Sequence, residues 1–176
     1  MLGAILLYVG VVLIVNGIGR LTKIDPKATA VMNLFTGALS VIMNFGTLLI
    51  TQAGVGLQSG SNSCYYTSAT GLLFGFTYLF IGINSIFNLE GRAYGWYCLF
   101  VTITTVPAGL ISWGDGKNIY NVLMALIWWA WGVLWLTGWI ELVLKKELKF
   151  TPYLSILEGV FTAWIPGFLI LLGIWK

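Results

Sequence analysis

The sequence predicts an all-α membrane protein, a bundle of six transmembrane helices, and two observations carry that prediction. Only 9% of the 176 residues are charged while 59% are apolar, a balance far outside that of water-soluble domains. The apolar residues also gather into six runs, at 2–19, 28–51, 68–89, 93–114, 118–140 and 152–175, each close to the ~20 residues a helix needs to cross ~30 Å of hydrocarbon. The connections are too short to hold a soluble domain, so the whole chain, 1–176, reads as one six-helix domain whose function sits in the bundle or at its two mouths.

The first run lacks the positive leading segment of a secretory signal. Its basic residues, Arg20, Lys23 and Lys27, follow the apolar core, which marks a retained helix with its N-terminus outside. Leu2, Leu6, Val9, Leu13 and Asn16 recur at spacings of four and three, giving an apolar face that turns polar at its inner end. The second run does the reverse. Asn33, Gly37, Ser40 and Asn44 share one face, which fits either close packing with hydrogen bonds across helices or a polar wall beside a path.

In the third run Gly71 and Gly75 form a small-residue seam, and Phe74 and Tyr78 lie one turn apart. The fourth holds Cys98 near its inner end, most of a bilayer from Cys64 in the outer connection, so the two are not expected to pair. The fifth carries Trp128, Trp131, Trp135 and Trp139, which at 100° per residue stay within about 80° of arc. Trp139, with Trp96, Trp113 and Trp175, lies near a helix end and suits an interfacial belt. Trp128, Trp131 and Trp135 lie mid-helix, where a buried indole needs a partner for its N–H; packing bulk is the plainer account of them.

The sixth run is expected to start with Thr151 as N-cap and Pro152 in the first turn. That puts Glu158 about 9 Å inside the hydrocarbon, where an ionisable group costs at least ~2.5 kcal/mol and faces a bundle interior or a wet cavity. It either pins its helix to a neighbour or meets a solute. Glu141 is the less unusual carboxylate, four residues before Lys145 at a helix end, the spacing of an interfacial ion pair. Measured from the inner face, Tyr78, Trp135 and Glu158 all fall at roughly 9 to 14 Å depth, so three helices bring a phenol, an indole and a carboxylate to one level.

Charge orients the bundle. The first, third and fifth connections hold seven Lys and Arg, while the rest of the chain holds two, Lys117 and Lys176. The basic connections are therefore expected in the cytoplasm and both termini outside. The same residues account for the net charge of +3 and give no reason to propose nucleic acid as a partner.

Several chemistries are poorly served. The chain has no histidine, which removes the commonest general base and metal ligand. No carboxylate pair appears at depth, so neither an enzyme nor a cofactor is implied. Ions find no ring of charges and no carbonyl filter. Stacked aromatic walls with a few acceptors suit a small, flat, neutral, polar solute. From the residues alone the choice lies between a narrow pore for such solutes and a structural bundle without a pore, with a membrane-embedded enzyme third.

The phrases LLYVGVVLIVNGI (6–18), LTKIDPKATAVMN (21–33), ATGLLFGFTYL (69–79), LFVTITTVPA (99–108), AWGVLWLT (130–137) and FTPYLSILEGVFTAWIP (150–166) resemble the bacterial urea channel and short-chain amide transporter family, AmiS/UreI, across all six helices. The resemblance implies six-helix protomers in a closed ring, usually a hexamer, each conducting through its own bundle. It implies passive urea permeation across the bacterial inner membrane to feed a cytoplasmic urease, with acetamide or formamide as alternative solutes. Carried over, the family's outer constriction falls on Leu2, Leu6, Val9, Leu13, Phe74 and Trp128, and its inner one on Tyr78, Trp131, Trp135 and Glu158. There are two departures. Met124 stands where acid-activated members have an aromatic residue, and the outer connection here is short, uncharged and free of the histidines of acid-gated members. The implied channel is thus one without an acid gate.

Overall fold

The computed structural model of the chain describes residues 1–54 and 62–175. Among them are six helices long and apolar enough to span a bilayer: α1 (Leu2–Thr22), α2 (Pro26–Gln52), α3 (Asn62–Phe87), α4 (Arg92–Trp113), α5 (Ile119–Leu142) and α6 (Thr151–Leu171). Each contains one of the apolar runs or most of it. The largest difference is at α3, which starts six residues before its run. Those residues are mostly polar, so hydropathy is silent on them although the backbone is already helical. Cys64 consequently sits on the first turn of α3 and not in a loop, still at the opposite end of the bundle from Cys98. Part of the connection before it, residues 55–61, lies outside the described residues.

The helix ends are set by local chemistry. Asp25 caps α2, its carboxylate accepting from the Lys27 N–H at 2.9 Å with Pro26 in the first turn, and Asn118 caps α5 in the same way through the Tyr120 N–H. At the end of α1, Lys23 adopts a left-handed conformation (φ 57°), and its N–H and that of Ile24 both reach back to the Gly19 carbonyl. The expectation for α6 needs correcting by one residue. Phe150 occupies the cap position, and Thr151 is the first helical residue, its buried hydroxyl without a hydrogen-bond partner among the described residues. Pro152 is in the first turn as expected, where its missing N–H breaks no helix bond.

Helix contacts run in a closed cycle. Three pairs pack extensively, α2 with α3, α4 with α5 and α1 with α6, and thinner seams join α1 to α2, α3 to α4 and α5 to α6. The close pairs depend on glycine. Along α1, Gly3, Gly10 and Gly17 repeat every seven residues and so share one face; a Cβ at Gly10 would lie 2.7 Å from the Trp164 nitrogen and 2.9 Å from the Gly159 oxygen of α6. Between α2 and α3, Gly37 and Gly75 interlock, and Gly71 makes room for Asn44, as the small-residue seam in the sequence suggested.

The polar face of α2 belongs to this packing. Ser40 donates to the Gly71 carbonyl, Asn44 donates to the Ser40 carbonyl, and Asn33 exchanges two hydrogen bonds, 3.0 and 2.7 Å, with Asn16 of α1. Close packing, and not a wall beside a path, is the reading the structure supports. A second polar tie joins α1 to α5, an ion pair of 2.9 Å between Arg20 and Glu141. Glu141 was expected to pair with Lys145. It does not, because α5 stops at Leu142 and Lys145 lies in a turn with φ 56°, so the two no longer share a helical face. Glu141 also accepts from the Leu148 N–H, which fastens the connection to α6.

One helix is irregular. Over Gly159–Trp164, inside α6, the backbone widens to a π-helix in which the Ile165 N–H reaches five residues back to the Val160 carbonyl. Pro166 follows at once. A proline ring clashes with the carbonyl four residues before it in an ordinary helix, and a wider preceding turn relieves that clash. The widened turn lies directly after Glu158.

Candidate functional site

The cycle of helices encloses a lumen whose walls come from α1, α3, α4, α5 and α6, with α2 contributing Pro26 and Thr29. A cavity of about 700 Å³ occupies one half of it. Its mouth, beside Arg20, Lys23, Pro26 and Glu141, lies at the end carrying the basic connections; it continues past Asn16, Ser85, Tyr94 and Ser155 and stops at Leu13, Phe74, Trp131 and Trp135. Farther on, Leu6, Val9 and Trp128 do not line this cavity and are buried with Phe74 in the same apolar cluster.

Nine of the ten residues singled out in the sequence are buried in this arrangement: Leu6, Val9, Leu13, Phe74, Tyr78, Trp128, Trp131, Trp135 and Glu158. Leu2 is not. At the first position of α1 it is 40% exposed, at the rim and not inside. Phe74 forms the hub, with its ring centroid 4.7 Å from Trp131, 5.1 Å from Trp135 and 5.8 Å from Trp128. Edge-on and tilted contacts of this kind hold rings in place better than parallel overlap. Of the four tryptophans assigned to an interfacial belt, Trp139 departs from it. It packs against the core, as Trp175 also does, and against Trp96, and its N–H is buried without a partner among the described residues.

Two of the three mid-helix indoles find partners. Trp135 donates to the Thr77 hydroxyl of α3 at 3.1 Å, and Trp131 donates to the Thr162 hydroxyl of α6 at 2.8 Å. Neither threonine was singled out in the sequence. The only available signal was that a buried indole must have an acceptor, which says nothing about where that acceptor lies.

Glu158 sits one turn beyond Ser155 on the same face of α6 and is 4% exposed. Both of its carboxyl oxygens are buried, and neither has a hydrogen-bond partner among the described residues. It lies within electrostatic range of the Tyr78 phenol. A carboxyl that served to pin α6 to a neighbour would be satisfied by that neighbour. Other groups fasten α6, namely the Ser155 hydroxyl on the Leu13 carbonyl at 2.8 Å and the glycine contacts with α1. Glu158 is left as a buried acceptor beside Tyr78 of the aromatic level, with no partner among the described residues.

Comparison with known proteins adds the context. A family model described as AmiS/UreI family transporter matches residues 1–174. The acid-activated urea channel of Helicobacter pylori is 50% identical over 194 aligned positions, covering 99% of this chain and all of the relative, which is the longer protein. A putative amidate substrates transporter protein of Mycolicibacterium smegmatis is 36% identical, over 99% of this chain and 78% of its own length. Two solved structures align over the full length of both chains: the crystal structure of the Helicobacter pylori urea channel, at 50% identity and a TM-score of 0.88, and a cryo-electron microscopy structure of that channel in a closed state, at 48% and 0.89.

Proposed function

The chain belongs to the AmiS/UreI family of transporters, a multi-pass membrane protein, and we propose that it is a passive channel for urea. The observation that supports this reading is the buried carboxyl of Glu158, without a partner among the described residues, within electrostatic range of Tyr78, which lines the cavity together with the tilted rings of Phe74, Trp131 and Trp135. Urea is flat and presents four N–H donors around one carbonyl. Rings shape a slot for the plane, and a buried acceptor replaces a water hydrogen bond that the solute gives up on entering. Leu6, Val9, Leu13, Phe74, Tyr78, Trp128, Trp131, Trp135 and Glu158 form the path, with Leu2 at its rim. The amidate transporter relative favours a second reading of the same slot, conduction of acetamide or formamide.

On this reading the basic end faces the cytoplasm and both termini face outward, the protomers form a ring, a hexamer, in the lipid of the bacterial inner membrane, and the urea delivered feeds a cytoplasmic urease. The concentration of Lys and Arg at one end supports the orientation. In a Cys64→Ser background, an impermeant maleimide added to intact cells is expected to label Lys117→Cys, in the α4–α5 connection, and to label Lys146→Cys, in the α5–α6 connection, only after lysis. The opposite pattern reverses the orientation.

The channel is also proposed to be open to urea whatever the external pH, unlike the relative named as acid-activated. A sensor between about pH 5 and 7 is ordinarily histidine, and there is none in the chain. Among the described residues the charged side chains at the outward end are Asp115 and Lys117, which form an ion pair of 3.7 Å; on this reading the two chain termini lie at the same end. At the other end Glu90 is held below the ordinary carboxylate range, chiefly by its hydrogen bond to Arg92 and further by the positive charges of Arg92 and Lys145. A depressed carboxylate stays ionised through that window, so its charge does not change there. Stopped-flow light scattering of vesicles containing the pure protein tests both claims. Urea is expected to equilibrate much faster than glycerol, with acetamide as the comparison for the second reading, and at similar rates at about pH 7.5 and about pH 5.5 outside. Urea no faster than in protein-free vesicles sinks the channel; a several-fold rise on acidification sinks only the pH claim.

A further inference from the structure

The two indoles at the narrow level are each tied to a different neighbouring helix, by the same chemical device. Trp135 donates to Thr77 on α3, and Thr77 spends its own proton on the Leu73 carbonyl at 2.8 Å. Trp131 donates to Thr162 on α6, and Thr162 spends its proton on the Glu158 carbonyl at 2.6 Å. A hydroxyl has one proton and two lone pairs. With the proton committed four residues back along its own helix, each threonine can only accept toward the lumen, which fixes the direction of the contact.

These contacts cross the bundle where it is least well packed. Helices α5 and α6 meet along a thin seam, and α5 shares no extensive contact with α3, so the hydrogen bonds from Trp135 and Trp131 link the α4/α5 pair to the other two pairs through the lumen. An indole ring pivots about the bond to its Cβ. Contact with Phe74 limits that pivot, while a hydrogen bond at the far edge of the ring stops it. The bonds also consume both N–H groups, so that level offers a solute the Glu158 carboxyl as acceptor but no indole donor.

We propose that Thr77 and Thr162 are positioning residues that set the width and polarity of the slot by holding the Trp135 and Trp131 rings in place. The proposal rests on the urea-channel reading of the lumen. It explains why an uncharged threonine, buried at Thr77 and half-buried at Thr162, sits beside each indole, and why the widened turn of α6 falls where it does, since Thr162 lies within that turn.

The test compares the ratio of urea to glycerol permeability, per folded channel, in vesicles. Thr77→Val keeps the shape and loses the acceptor, and its ratio is expected to fall roughly five- to tenfold, while Thr77→Ser stays within about twofold of the parent. Trp135→Phe removes the donor without touching α3 and is expected to reproduce the fall; the double variant should be no worse than either single one, as for two halves of one contact. Thr162→Val and Trp131→Phe form the parallel set. Thr104→Val, which removes a hydroxyl bonded only to the Phe100 carbonyl of its own helix, should leave the ratio unchanged. A second readout does not depend on transport: in ¹⁵N-tryptophan-labelled protein in detergent, the Trp135 indole N–H should exchange with deuterium much faster in Thr77→Val than in the parent. Unchanged ratios or additive losses in folded variants, or unchanged indole exchange, overturn the proposal. A parent that does not prefer urea overturns the channel reading instead, and the exchange experiment still decides whether the threonines hold the rings.

Discussion

Glu158→Leu is expected to cut urea flux by at least about tenfold in protein that folds as well as the parent or better, whereas Glu158→Gln keeps a substantial fraction. The reasoning starts from the two buried carboxyl oxygens without partners. A solute leaving water for a lumen walled by Phe74 and three indoles gives up hydrogen bonds. Leaving such a group unsatisfied costs about 1–3 kcal/mol, and leucine offers no acceptor to offset it. Glutamine retains a carbonyl oxygen at nearly the same place. Leucine is also the better residue for stability alone, because it removes a buried polar group. The prediction is therefore a separation of the two properties, with detergent melting temperature steady or raised and flux lost. A Glu158→Leu channel that conducts urea like the parent removes Glu158 from the path.

Gly10→Leu is expected to yield no monodisperse protein after extraction in mild detergent. Around Gly10 the atoms within 3 Å of a Cβ are the Trp164 nitrogen and Cβ and the Gly159 oxygen. These include backbone atoms of the opposing helix, which cannot rotate away as the end of a side chain can. The helices must separate, and overpacking of this kind costs roughly 3 kcal/mol or more, a large share of the ~5–15 kcal/mol that holds a domain together. The same substitution at Gly46 is the control. Nothing lies within 4 Å of a Cβ there, so Gly46→Leu should elute and melt like the parent. Equal behaviour of the two variants would show that the α1–α6 contact does not require glycine.

Much of this architecture was legible because a bilayer enforces it. Hydrocarbon cannot satisfy an exposed backbone, so every span must be a helix of the right length and composition, and the six runs state that directly. Where the chain leaves the hydrocarbon the signal fades, which is why the polar first turns of α3 were read as loop. The narrow level was legible in part. Depth counted along a helix placed Tyr78, Trp135 and Glu158 together, and the resemblance to a known family supplied the rest, including Leu2, which turns out to be exposed. Lateral contacts were harder to read. That Trp135 meets Thr77, or that Glu141 turns to Arg20 and not to Lys145, depends on how neighbouring helices are rotated and where α5 ends. The widened turn of α6 was also invisible, since Pro166 is compatible with a kink as well as with a π-turn. The glycines of α1 could have been found, because spacing by seven keeps Gly3, Gly10 and Gly17 on one face, but the leucines beside them make the stronger pattern.

The pairing of α1 with α6 bears on how the chain is made. The α2/α3 and α4/α5 pairs are neighbours in sequence, and each can leave the translocation machinery as a ready-formed hairpin. The first helix has no such companion. Until the sixth is synthesised, the glycine face of α1 has nothing to close against and the cycle of helices is an open arc. The lumen therefore comes into being only once α6 has been made, and a chain cut short before residue 151 would expose a grooved, unmatched helix to lipid and to proteases in place of a leaking pore.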